Sequence, residues 1–201
     1  LSDELYIKMN ARGKPLTAFD AFKAKMEQHI DNILPEDTRT LNGTSISLRT
    51  YFSHRVDSTW PDLFWRHRDR YTNVFDQQFM NFVRAVALVL YPQGRGEMDR
   101  VETLRVLDSL STFRSEYSFY TYQKNNCITP EFVRGLIIIL DGLTTSMPDN
   151  ITNYLHDAAY YNENEMFAGI LAGKASALSY TGLIQFYAYC AYRIKYPHDI
   201  Q

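Results

Sequence analysis

The stretch Phe75-Asp-Gln-Gln-Phe79-Met-Asn-Phe82-Val-Arg-Ala85-Val-Ala-Leu-Val-Leu-Tyr91 decides the fold. Phe75, Phe79, Phe82, Val86 and Val89 recur at alternating four- and three-residue steps, which line one face of an α-helix. From Ala85 to Tyr91 the segment is apolar on every side, so the helix predicted over about 74–91 belongs at the centre of a core. A chain that buries one helix all round must wrap others about it.

The rest of the sequence supplies them. Thr17 is a good N-cap with Asp20 in the capping-box position, and Phe19, Phe22, Met26, Ile30 and Ile33 follow at helical spacing to about Leu34, where Pro35 stops the helix. Residues 35–45 are loop by composition. Residues 46–72 read as short helices around Trp60-Pro61-Asp-Leu-Phe64-Trp65, with Ser58 or Thr59 as the cap and Pro61 in the first turn. Past the turn Pro92-Gln-Gly-Arg-Gly96, residues 97–111 form an amphipathic pattern through Met98, Val101, Leu104, Leu107 and Leu110. Thr129-Pro130 starts a helix carrying Phe132, Val133, Leu136, Ile137 and Leu140. Further helices are predicted near 151–161, over 163–173, and over 180–195 with Leu183, Phe186, Tyr187, Cys190, Ala191 and Ile194 on one face. The expected fold class is mainly α: a single helical domain of about eight helices over residues 17–201, preceded by a short extended arm over 1–16.

Composition narrows the function classes. The chain has 201 residues, 45% of them hydrophobic, which is ample for one buried core. Its formal net charge is −2, and residues 1–100 carry 14 basic and 13 acidic side chains, so the chain as a whole is no electrostatic magnet for DNA. Two cysteines, Cys127 and Cys190, are too few for a disulfide scaffold and read as buried or half-buried free thiols of a reducing compartment. No apolar run is long enough to span a membrane, and no basic stretch followed by an apolar core opens the chain, so a cytoplasmic location is expected. The start at Leu1, directly inside a motif, reads as a piece of a longer protein.

Four residues of the arm are the first candidates for chemistry. Asn10, Arg12, Gly13 and Lys14 form a polar turn whose amide, glycine backbone and cations suit a phosphate or a nucleic-acid backbone. The same residues also suit a plain connector, with Gly13 supplying a positive φ and Asn10 bonding its own backbone. Trp65-Arg66-His67-Arg68-Asp69-Arg70-Tyr71 is a basic-aromatic cluster, and Arg66, Arg68 and Arg70 are candidate nucleic-acid contacts. An ordinary amphipathic face, with Phe64 and Trp65 inward and the arginines outward, explains that cluster as well. Gly169-x3-Gly173-Lys174-Ala175-Ser176 falls one residue short of a phosphate loop and lacks its magnesium-binding hydroxyl. His156-Asp157, with Glu163 and Glu165 nearby, lacks further ligands for a metal site. No catalytic triad, Cys-His dyad or metal cluster can be picked out, so no catalytic residue and no metal ligand is expected in this chain.

The spacing Tyr6-x3-Asn10-x2-Gly13-x2-Leu16 resembles the Phe-x3-Asn-x2-Gly-x2-Leu signature of prokaryotic restriction and phage-defence proteins that share the domain of unknown function 262, among them the GmrSD-type modification-dependent enzymes. Tyr6 stands where the signature has Phe. The likeness runs on into Phe19-Asp-Ala-Phe-Lys23-Ala-Lys and returns more loosely at Trp60-Pro-Asp-Leu-Phe-Trp65 and Asp76-Gln-Gln-Phe-Met-Asn-Phe82. Such proteins join a ParB-like nucleotide-binding domain, marked by Asp-Gly-Gln-Gln-Arg, to a helical region; some add a metal-dependent HNH nuclease with a His-x-x-Pro motif. Neither motif occurs in this chain. The resemblance therefore implies the tail of a ParB-like domain over 1–16 and the helical portion of a nucleotide-dependent DNA restriction or phage-defence protein over 17–201. That portion would be inactive alone. Its partners would be the rest of the parent chain, the ParB-like and nuclease domains included, and DNA. It would carry no cofactor itself, while the parent would use a nucleoside triphosphate with magnesium. By the same resemblance Asn10 would contact nucleotide or DNA, Gly13 would shape the turn, and Tyr6 and Leu16 would pack. Arg12 and Lys14 are phosphate contacts by charge alone. The alternative reading is a non-enzymatic helical module that binds protein or nucleic acid.

Overall fold

A computed structural model describes residues 17–92, 100–111, 118–146, 163–173 and 179–197. The protein is mainly α, as the periodicities predict. In chain order the described elements are α1 (Ala18–Ile33), β1 (Thr38–Leu41), β2 (Thr44–Ser47), α2 (Leu48–Asp57), α3 (Pro61–Trp65), α4 (Asp76–Leu90), α5 (Arg100–Ser111), α6 (Phe119–Lys124), α7 (Pro130–Ser146), α8 (Glu163–Leu171) and α9 (Tyr180–Lys195).

α4 is the axle. It packs against α1, α5, α7, α8 and α9, and every residue from Phe82 to Tyr91 is buried. Neighbours on all sides are what an all-round apolar helix requires. Aromatic rings lock its first half: Phe64 and Phe79 meet edge to face at 5.2 Å, Phe82 meets Phe167 at 5.8 Å, and Phe19 meets Phe79 at 5.1 Å. Two arginines enter the core. Arg84 of α4 donates from Nε to the Leu110 carbonyl at 2.6 Å and from Nη2 to the Ser109 carbonyl at 2.8 Å, capping the negative end of α5. Arg193 of α9 lies over the Tyr189 ring and against Gly142.

The caps form where the sequence puts them. Thr17 and Asp20 make the reciprocal capping box of α1, and Thr129 Oγ1 accepts from the Phe132 N–H ahead of Pro130. α3 differs: Pro61 is in its first turn, but the N-cap is Trp60 without a side-chain bond. Ser58 Oγ instead donates to the His54 carbonyl, and Thr59 Oγ1 accepts from Arg55.

Three expectations are corrected. The loop expected over 35–45 holds most of an antiparallel hairpin, with Thr38 opposite Ser47 and Leu41 opposite Thr44. Asn42 (φ 49°) and Gly43 (φ 79°) both take left-handed geometry, so the Asn-Gly pair makes a tight turn that overrides the polar composition around it. In α5 the expected face is rotated: Val106 and Leu110 are buried while Val101 and Leu104 face outward. Val106 and Leu110, four residues apart, share the inward face, and Arg84 of α4 holds the end of that helix through the Leu110 and Ser109 carbonyls. In α3 Phe64 is buried but Trp65 is about half exposed, because a five-residue helix turns only one of two adjacent aromatics inward. The helix expected near 151–161 lies outside the described residues. Cys127 and Cys190 are buried and not joined in a disulfide, as read from the sequence.

Candidate functional site

Tyr6, Asn10, Arg12, Gly13, Lys14 and Leu16 lie outside the described residues, as do His156 and Asp157. The description begins at Thr17, the residue into which the signature runs. From there the first turns of α1 form one wall of a cleft of about 730 Å³. Ala18, Phe19, Phe22 and Lys25 stand on that wall. The segment Asp69–Asp76 and the first turns of α4, with Gln77, Gln78, Asn81 and Arg84, form the opposite side; Ser118, Phe119 and Tyr122 of α6 close the end.

The cleft is part aromatic and part amide. Phe22 meets the rings of Phe119 and Tyr122 edge to face, each at 6.0 Å. Gln77 donates to Asn81 Oδ1 at 2.8 Å, and Asn81 donates to the Leu171 carbonyl at 2.8 Å, which ties the cleft floor to α8. Gln78 Oε1 is buried and accepts no hydrogen bond from the described residues. A buried acceptor left so costs about 1–3 kcal/mol, a cost a bound donor would remove. Lys25 and Arg84 line the cleft together with Asp69 and Asp76, so its charge is close to balanced. A pocket of this size and mixture suits a small ligand with a flat apolar part and several polar edges.

Asp69, within the basic-aromatic cluster, and Thr72 just after it line the same cleft. Asp69 builds the turn: its Oδ1 accepts from the Tyr71 and Thr72 N–H groups at 2.7 and 2.9 Å, and the Thr72 and Tyr71 bonds hold its carboxyl below the usual carboxylate range. Asn73 sits at φ 54° and donates its N–H to the Asp69 carbonyl. Arg68 is anchored. Its guanidinium stacks 4.3 Å from the Trp65 ring centre, and it donates to the Trp65 carbonyl and to Asn73 Oδ1. Arg66 and Arg70 are exposed, and Tyr71 is 98% exposed at the tip. Burial, with the Arg66 charge beside it, holds the His67 imidazole below its ordinary range, so His67 adds no positive charge at neutral pH. The three arginines therefore share one short, hydrogen-bonded loop rather than a helix face.

A second polar constellation has no motif in the sequence. Asp141 of α7 accepts from Tyr51 Oη at 2.8 Å and from Trp60 Nε1 at 3.1 Å, while Arg55 Nε lies 3.5 Å from Asp141 and donates to Tyr51 Oη at 2.9 Å. Burial outweighs these donors and raises the Asp141 carboxyl above its ordinary range. Each group is satisfied by the others, so the network is a latch joining α2 and α3 to α7. An aspartate directly after Ile137-Ile-Ile-Leu140 is the one available signal, since an acid in an apolar run needs a partner.

The Gly169–Gly173 segment is the end of α8, with Gly173 at φ 66° closing the helix, which is helix-end rather than phosphate-loop geometry. Among the described residues no group of three or more His, Cys, Asp or Glu could hold a metal ion, and no helix is long and apolar enough to cross a membrane. Comparison with protein families, with curated proteins and with solved structures gives no match for this chain.

Proposed function

We propose that the chain is the helical portion of a nucleotide-dependent DNA restriction or phage-defence protein of the domain of unknown function 262 type, and that the cleft is part of its working site. One observation carries the reading beyond the sequence signature. The first turns of α1, which follow directly on Tyr6-x3-Asn10-x2-Gly13-x2-Leu16 in sequence, line one cleft together with Asp69 and Thr72 of the loop that carries Arg66, Arg68 and Arg70. The aromatic and amide lining suits the base of a nucleotide, and the loop arginines suit its phosphates or a DNA backbone. In the parent the ParB-like domain would supply the triphosphate and magnesium chemistry, Asn10 a direct contact, and Arg12 and Lys14 phosphate neutralisation. The isolated chain would bind but not hydrolyse, and the parent would work in the cytoplasm.

Nucleoside-triphosphate hydrolysis by the full-length parent, with and without phage DNA, tests this. Loss of activity in a folded Asn10→Ala variant is the expected result. Hydrolysis that is indifferent to Asn10→Ala would make the turn a connector and count against the reading. The exposed Trp65, Tyr71 and arginines favour a second reading, a non-enzymatic module that binds nucleic acid. It predicts oligonucleotide binding by a parent that hydrolyses none of the four nucleotides.

A further inference from the structure

The loop that joins α3 to α4 is built to hold one shape. The Asp69 N–H donates to the Val74 carbonyl and the Asn73 N–H to the Asp69 carbonyl, each at 2.9 Å, which closes the loop on itself. Asp69 Oδ1 takes the Tyr71 and Thr72 N–H groups within it. Arg68, over the Trp65 ring, donates to the Trp65 carbonyl and to Asn73 Oδ1, and so ties the end of α3 to the returning arm of the loop. Tyr71 belongs to this frame and is 98% exposed, so both faces of its ring are open. A connector is served as well by a small polar residue. A stiff ring on a pre-shaped loop loses little freedom on binding, which makes it an adhesive group.

The surroundings of the ring narrow the partner. Arg70, directly before Tyr71, and Arg66 are exposed. Asp69 is the one acid among residues 65–71, and its Oδ1 is turned to the loop's own backbone. Thr72 and Asn73, directly after the ring, are exposed and polar. A protein interface needs about 800 Å² on each side, and one ring of about 150–250 Å² among cations and polar groups supplies a small part of that. A nucleobase is matched by a single ring, and the phosphates on either side of it are matched by neighbouring cations. In a duplex both faces of each base are covered by the next pair. The ring can therefore act only on an unpaired base, whereas the arginines serve paired and unpaired strands alike.

We propose that Tyr71 is a base-stacking finger for single-stranded nucleic acid, with Arg66 and Arg70 on the flanking phosphates. This rests on the reading above that the loop meets nucleic acid, and adds the form of strand that its ring requires. Fluorescence anisotropy of the 201-residue chain tests it, with a labelled strand of about 16 nucleotides free of self-complementarity and with the duplex of that strand. Tyr71→Ala should weaken binding of the single strand about 5- to 100-fold and leave the duplex within about twofold. Tyr71→Phe, which keeps the ring, should bind both forms as wild type does. The exposure of Tyr71 leaves the core untouched in either variant, and far-UV circular dichroism checks this. Single-strand binding indifferent to Tyr71→Ala, or an equal loss for strand and duplex, would overturn the finger and leave the loop a backbone contact. No binding of either form at low salt would remove the underlying reading as well.

Discussion

Asp141 shows how one side chain holds three elements. Its two oxygens take the Tyr51 hydroxyl and the Trp60 indole N–H, with Arg55 alongside. Asp141→Ala leaves those donors inside the protein without their acceptor, and a loss of about 2–3 kcal/mol is expected in urea unfolding. A loss below about 0.5 kcal/mol would mean that water already serves the donors. Asp37 behaves in the opposite electrostatic sense. Arg134 grips it through two bonds, at 2.7 and 3.0 Å, and lowers its carboxyl below the ordinary 3.8. A depressed carboxyl contributes stability that is present above its unfolded value and lost as pH falls through the folded value. The thermal-stability gap between wild type and Arg134→Ala should therefore be constant near neutrality and shrink below about pH 4. Because Arg134 is partly exposed, the gap itself should stay within about 1 kcal/mol. At this scale the sequence is least informative: Arg84, Asp141 and Arg193 look like surface residues on any helical pattern. Arg84 and Asp141 are drawn inward by partners on other elements, and Arg193 lies over Tyr189 of its own helix.

Elements are more legible than the way they pack. Thr17 with Asp20, Thr129 with Pro130 and the span of α9 are local signals, and the helices begin where those signals stand. The hairpin escapes a reading by composition, because the polar residues around Asn42-Gly43 spell loop while the pair itself makes a turn that aligns two short strands. The face of α5 is ambiguous from periodicity alone, because two apolar rows compete on it and only packing against α4 chooses between them. Two glycines of α7 test the packing directly. A Cβ at Gly135 would stand 3.1 Å from both Ile194 Cδ1 and Leu90 Cδ1, where α4 and α9 close on α7. Gly135→Val should cost about 2–3 kcal/mol by overpacking and by β-branching in a helix. At Gly142 the nearest atom is Arg193 Cδ at 3.5 Å, an ordinary contact. Gly142→Ala should therefore gain up to about 1 kcal/mol of helix stability. Differential scanning calorimetry of both variants should show opposite shifts in Tm; shifts of the same sign would contradict the packing described.

For the whole molecule, the formal charge of −2 conceals a local asymmetry, because the loop after α3 gathers Arg66, Arg68 and Arg70 within five residues. Arg68 is held against Trp65, while Arg66 and Arg70 are exposed and are candidates for phosphate contact. The Arg66→Ala, Arg70→Ala double variant should weaken duplex oligonucleotide binding and flatten the dependence of log affinity on log salt by about 2, close to one unit for each phosphate no longer neutralised. An unchanged slope in fluorescence anisotropy would remove the loop from any nucleic-acid interface. How this cleft draws its lining from both α1 and the loop after α3 is not legible in the sequence, since about fifty residues separate Thr17 from Arg66 and only packing around α4 brings their elements together. The measurement closest to the central claim is photo-crosslinking of an azido-purine nucleoside triphosphate to the full-length parent, mapped by mass spectrometry. Adducts on peptides covering Ala18–Lys25 and Asp69–Asn81 are the predicted result, whereas saturable labelling that leaves both peptides unmodified would contradict the assignment of the cleft.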